Sequence, residues 1–264
     1  MSLPRTGDHG GVLAATALGP CGGGRRFQAS RAVRLADADP SGRLRLDALA
    51  RHLQDVASDD TADARTEDGA LTWVVRRAAV AVTRWPRYRE RLTYTTFCSG
   101  VGPHWAERRT TGRGAEGGHL EAVVLWVCVD PATGRLATLS DAFHRTWGST
   151  AGGRTVSARL LHPPAPQDGA SPPHPWQVRV ADLDVLGHVN NAVHWAAVEN
   201  EVASALPGRV PAAAECEYRL PVEIDDGVGL VSRPDGGDGA ALRTWMVGPR
   251  GVHASALVRT RPGP

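Results

Sequence analysis

Two stretches of the chain carry apolar residues at helical spacing. Leu46, Leu49, Leu53, Val56 and Ala57 recur at steps of three, four, three and one, and Trp195, Val198, Val202 and Leu206 at three, four and four. Each set falls on one helix face and predicts an amphipathic helix with that face against a core. The second helix opens at HVNN, where Asn190 or Asn191 can cap it, and stops before Pro207-Gly208. After the first helix, RAAVAVTRW, RLTYTTFCSG, HWAERRTTG and LEAVVLWVCVD alternate or run apolar between Gly and Pro punctuation, which predicts an antiparallel meander. VDPATGRL is a turn, opened by Asp130-Pro131 and closed by Gly134.

This pattern occurs twice. VRLADADPSG (Val33 to Gly42) and VRVADLDVLG (Val178 to Gly187) are identical at six of ten positions and are separated by 145 residues without a gap. TRWP (Thr83 to Pro86) is echoed by YRLP (Tyr218 to Pro221). The chain therefore reads as α+β, one helix and a four- or five-stranded antiparallel sheet given twice, with the two copies edge to edge and clefts between them. The expected organisation is a disordered tail over 1–25, an N-terminal module over 26–161, a linker over 162–175 with six prolines, and a C-terminal module over 176–264.

Composition narrows the classes. Of 264 residues 42% are hydrophobic and 22% charged, which suits a globular chain and argues against disorder or a small disulfide scaffold. The apolar runs fall short of the roughly 18 to 20 residues of a membrane helix, so no membrane partner is expected. All 30 basic residues are Arg, yet the net charge is only +2, which does not suggest a nucleic-acid binder. Cys21, Cys98, Cys128 and Cys216 are scattered, with no CxxC and no His at ligand spacing, so no metal site is expected. The first residues lack a signal-peptide layout, and a reducing cytoplasm fits best.

Candidate chemistry sits in the turn before the second helix. DLDVLGHVNN places Asp182, Asp184 and His188 where a helix amino end supplies unpaired N–H groups and partial positive charge. A carbonyl oxygen lying against the amides of Val189, Asn190 and Asn191 would have its developing negative charge stabilised, while Asp184 attacks or orients water and His188 orients or polarises. The competing reading is that the three polar residues only cap and brace the turn. The first repeat has Asp37 and Asp39 but Arg43 in place of His188, and is not expected to be a second centre. His194 reads as a packed histidine; one of Glu199 and Glu201 could face the cleft, but Glu on a helix is more often a solvated residue.

DLDVLGHVNN, YRLPVEIDDG, LDALARHLQDVASD, TWVVRR, VTRWPRYRERL, WAERRTTG, VLWVCVDPATGRL and GGRTVSARL together resemble the acyl-ACP thioesterases, over about Arg26 to Val258. The resemblance implies a double hot-dog fold and hydrolysis of fatty acyl-ACP to fatty acid and acyl carrier protein, with no cofactor. Carried over by position, the family's catalytic Asp and His fall on Asp184 and His188. Its Asn falls on Leu186 and its later acid on Pro221; Glu223, two positions on, is expected to take the place of that acid from the same strand face. The motif is also similar to that of hydroxybenzoyl-CoA-type single hot-dog thioesterases, in which an Asp of the motif supplies the carboxylate. An acyl-CoA thioesterase and a non-catalytic acyl-thioester-binding protein therefore remain as alternatives. The resemblance further implies an acyl tunnel lined from the first module by Leu49, Leu53 and Trp73. For the acidic carrier protein, Arg76, Arg77, Arg87, Arg89 and Arg91 are the expected contacts, with Arg87, Arg89 and Arg91 on one face if extended. A homodimer is left open.

Overall fold

The structure, a computed structural model, describes residues 23–65, 72–166, 173–237 and 239–263, so the expected tail lies almost wholly outside the described residues. In chain order the elements are β1 (Arg26–Ala32), α1 (Leu46–Ala64), β2 (Thr72–Arg84), β3 (Arg91–Val101), β4 (Trp105–Gly114), β5 (His119–Val129), α2 (Asp141–Thr146), β6 (His174–Pro175), α3 (Asn191–Ala205), β7 (Arg209–Tyr218), β8 (Gly229–Pro234), β9 (Ala241–Gly248) and β10 (Gly251–Pro262). The ten strands form one antiparallel sheet in the order β1-β3-β4-β5-β2-β7-β10-β9-β8-β6. Its two halves are related by the repeat, with β2 and β7 as the central pair, from Arg77 opposite Glu217 to Ala81 opposite Ala213.

One expectation needs correction. A plain meander would set β2 beside β3, but β2 pairs with β5, from Thr72 opposite Val129 to Arg84 opposite His119. The run of Val and Ala along β2 explains this placement. Val75, Ala78, Ala79, Val80 and Val82 are all buried, as suits a strand with neighbours on both edges and cover on its faces, not an outer strand.

Both helices lie against the sheet and against each other, and one core spans the two modules. Leu46, Leu49, Leu53 and Val56 from α1 join Trp195, Val198 and Val202 from α3 in that core. Each fully buried leucine contributes about 1.5–3 kcal/mol relative to an exposed one. A second, smaller core gathers Phe143 and Trp147 over Cys98, Ala106 and Cys128. The short helix α2 reaches it because Ser140 Oγ accepts the Phe143 N–H at 2.9 Å.

The opening of the proline-rich segment is not a free linker. Glu217, 1% exposed, accepts the Leu161 and His162 N–H groups at 2.5 and 3.1 Å, and Trp245 Nε1 donates to Pro163 O at 3.0 Å. Buried acceptors and donors in β7 and β9 thus tie residues 161–163 to the sheet, which proline content alone does not reveal.

Candidate active site

The two turns before α1 and α3 repeat one hydrogen-bond plan at the same 145-residue offset. Asp39 N donates to Arg43 O and Gly42 N to Asp39 O; Asp184 N donates to His188 O and Gly187 N to Asp184 O. Arg45 N donates to Asp37 O, and Asn190 N to Asp182 O. Ala38 bridges Leu44 as Leu183 bridges Val189. Gly42 and Gly187 have φ of 81° and 76°, a conformation glycine adopts without side-chain strain. In the second turn Asp184 and His188 are joined through their backbones and both are half-buried, and Asp184 Oδ1 accepts the Leu186 N–H at 2.9 Å. Asp182 is instead structural: Arg179 donates to its carboxylate and holds it below the ordinary carboxylate range.

The amides at the amino end of α3 are already sorted. Val189 N donates to Val222 O at 2.8 Å and Asn190 N to Asp182 O at 2.9 Å, so neither is available to a ligand as the sequence suggests. Asn190 caps the helix, its side chain accepting the Ala192 N–H at 2.9 Å, and its carbonyl accepts Val193 N. Asn191 N–H, the first of the helix proper, donates to no acceptor among the described residues. Tyr218 Oη donates to Asn191 O at 3.1 Å and fixes that residue from below. His194, 3% exposed, packs edge-on against Trp176 and Tyr218, and burial pushes it down to about 4, so it is a neutral packing group at pH 7.

Two cavities lie near this helix end. A narrow cavity of about 20 Å³ is bounded by Asn191, Trp195 and Tyr218 and, on the α1 side, by Leu46, Ala50, Leu53 and Gln54. Gln54 and Trp126 also line a wider chamber of about 330 Å³, walled by Trp73, Phe143 and Trp147. Leu53 lines the narrow cavity and Trp73 the wider chamber. Leu49 is fully buried in the core and lines neither space. Leu49 and Leu53 share a helix face, so the 3.6-residue period alone does not tell which of the two reaches the cavity.

The other expected site residues fall as follows. Glu223 is not on a strand, because β7 ends at Tyr218; it sits in an exposed turn, paired with Arg250 at 3.5 Å. Arg77 is buried and donates to Arg159 O and Ser157 O, bracing the chain that leaves the first module. Arg76 is half-buried and donates to Tyr218 O at 2.9 Å. Arg87, Arg89 and Arg91 are exposed, but the segment is a turn, with Glu90 N bonded to Arg87 O and Arg89 at φ 72°, so alternation does not apply to them.

One acid read as solvated in the sequence is engaged between the helices. Glu199 is not solvated: its carboxylate accepts Arg43 Nη2 at 2.6 Å and Leu46 N–H at 2.9 Å, and burial raises its pKa against the pull of Arg43. No group of His, Cys, Asp and Glu among the described residues is arranged to hold a metal ion, and none of their helices is long and apolar enough to cross a membrane.

Residues 24–146 match the acyl-ACP thioesterase N-terminal domain and residues 166–249 the acyl-ACP thioesterase C-terminal domain. The uncharacterized protein Rv2001 of Mycobacterium tuberculosis (strain ATCC 25618 / H37Rv) is 30% identical over 224 residues, 84% of this chain and 87% of its own length. Among solved structures, the 12:0-ACP thioesterase from Umbellularia californica superposes with a TM-score of 0.73 at 22% identity, over 90% of this chain and 97% of its own. An acyl-ACP thioesterase from Bacteroides thetaiotaomicron gives 0.72 at 16%, over 89% and 98%. These likenesses bear out the double hot-dog fold. With both domains matched along most of its length, the chain belongs to the acyl-ACP thioesterase family and is a thioester hydrolase.

Proposed function

We propose that hydrolysis takes place at the amino end of α3. The carbonyl oxygen of the acyl thioester accepts the Asn191 N–H, and the acyl chain passes the Leu53 throat into the chamber walled by Trp73, Phe143 and Trp147. Asp184 takes a proton from a water that attacks the carbonyl carbon, and His188 holds that water or the thioester in line. The C–S bond then breaks, the leaving sulfur takes the proton, and free acid and thiol depart. The observation that carries this reading is the Asn191 amide, left without an acceptor at a positive helix end that borders an apolar cavity. Glu223 has no part in it, being tied to Arg250 on the surface.

The acyl carrier is read as acyl carrier protein, from the family, with exposed Arg87, Arg89 and Arg91 as its contacts. Because α1 and α3 of one chain both line the narrow cavity, a second copy is not needed to complete the site. No nucleic acid or cofactor enters the reading, and a cytoplasmic setting suits a partner of fatty-acid synthesis. The test is release of fatty acid from a panel of acyl-ACPs and acyl-CoAs. Asp184→Asn keeps the shape and removes the charge, and should lower turnover by at least about 100-fold with the fold intact, as for loss of a general base. Parent-rate hydrolysis by that variant would remove Asp184 from the mechanism. Hydrolysis of acyl-CoA alone would reassign the carrier.

A further inference from the structure

The repeat offers an internal control for the reaction centre. Residues 145 apart occupy equivalent places: Arg43 with His188, Leu46 with Asn191, and Gln54 with Glu199. Glu199 of α3 reaches the amino end of α1, and Gln54 holds the equivalent place on α1, where it shares the narrow cavity with Asn191. In the first module the Glu199 carboxylate closes on the Leu46 N–H at 2.9 Å and on Arg43 at 2.6 Å. The amide that could hold a carbonyl there is already occupied, which gives a physical reason for one centre and not two.

At the other end the equivalent amide, Asn191 N–H, has no acceptor, and the equivalent side chain is Gln54. Gln54 is half-buried, makes no hydrogen bond to a described residue, and lines both the narrow cavity and the chamber. The family's Asn is absent from this turn, since Leu186 stands in its place with half of its surface exposed. A neutral amide at position 54 differs from a carboxylate there in one decisive respect. It carries N–H donors of its own, so it leaves the helix amide to a ligand and adds a second donor beside it.

Resting on the hydrolase reading above, we propose that Gln54 is a catalytic residue of the reaction: its Nε2 donates to the thioester carbonyl oxygen alongside the Asn191 N–H, so that two donors, one from each module, stabilise the charge that develops when water attacks. The site is thereby built from both halves of the repeat. Changing Gln to Glu at this position would convert the open end into a copy of the closed one.

Steady-state release of fatty acid from acyl-ACP tests this, with thermal unfolding run on every variant to establish that it is folded. Gln54→Leu should lower kcat by about 100-fold or more, the usual loss for one such donor, with KM changed less than about threefold because the acyl chain and carrier supply most of the binding. Gln54→Glu should be at least as impaired, since a carboxylate occupies the Asn191 N–H and repels the developing charge. A wild-type protein that hydrolyses acyl-ACP, together with folded Gln54→Leu and Gln54→Glu variants within threefold of its kcat, overturns this inference and leaves the hydrolase reading standing. A wild-type protein that releases no fatty acid overturns both. A rise in KM with unchanged kcat also overturns it, because Gln54 then contributes only to ground-state binding.

Discussion

Arg25 bridges two carboxylates at the same distance, and burial alone separates what each contributes. Its Nε lies 2.6 Å from Asp60 and its Nη2 2.6 Å from Asp63, but the Asp60 side chain is 1% exposed and that of Asp63 61%. Asp60 also accepts Arg108 Nη1 at 2.6 Å and Trp147 Nε1 at 3.0 Å, thereby joining α1, β4 and the segment after α2. Asp60→Leu would leave the buried Trp147 indole N–H without its acceptor and take from the half-buried Arg108 its carboxylate partner. Breaking a buried pair from one side costs about 3–5 kcal/mol. At about 2–4 °C per kcal/mol for a chain of this size, the melting temperature should fall by roughly 6–20 °C. Asp63→Asn, at an exposed ion pair, should cost less than about 1 kcal/mol and shift melting by no more than a few degrees. Calorimetry on the two variants and the parent decides the matter. Equal melting temperatures for the two variants, or a loss under 2 °C in Asp60→Leu, would refute the argument that burial sets the scale. Because Arg108 and Trp147 also wall the chamber, Asp60→Leu should in addition blur chain-length preference.

Narrowing the throat with Leu53→Trp should move the preferred acyl chain to shorter lengths without abolishing hydrolysis, as read from a chain-length panel; Leu49→Ala should instead cost about 2–5 kcal/mol of stability with the preference unchanged. His194 is held down to about 4 by burial against an ordinary value of 6.5, so the unfolded chain binds the proton first as pH falls. Stability should be flat above pH 6.5 and decline by about 1.4 kcal/mol per pH unit from this group between 6.5 and 4, and the slope should be shallower by that amount in His194→Phe denaturation curves. Carrier-protein affinity should weaken steeply with ionic strength and fall in an Arg87, Arg89 and Arg91 triple Ser variant; affinity insensitive to salt would place the carrier elsewhere.

The sequence by itself determined the two-module plan, because it is written twice: the 145-residue repeat carries the turn glycines, the Asp pairs and the start of each helix, and local hydrogen bonds within each turn reproduce one another. Asn190 as cap follows from the same local chemistry, whereas Leu53 and Trp73 as cavity-lining residues came from the family resemblance and not from any local pattern. What lies across the module boundary was not legible. Whether β2 pairs with β3 or β5 depends on which edge joins β7, and that is settled by burial on both sides of the strand. The ranking of the α3 amides depends on acceptors distant in sequence, Val222 O foremost, and only their positions leave Asn191 free. Glu199 and Gln54 look like ordinary polar helix residues in the chain. Glu199 acquires its meaning from the amino end of the opposite helix, 153 residues away at Leu46, and Gln54 from the cavity it shares with Asn191, both brought about by the packing of α1 on α3.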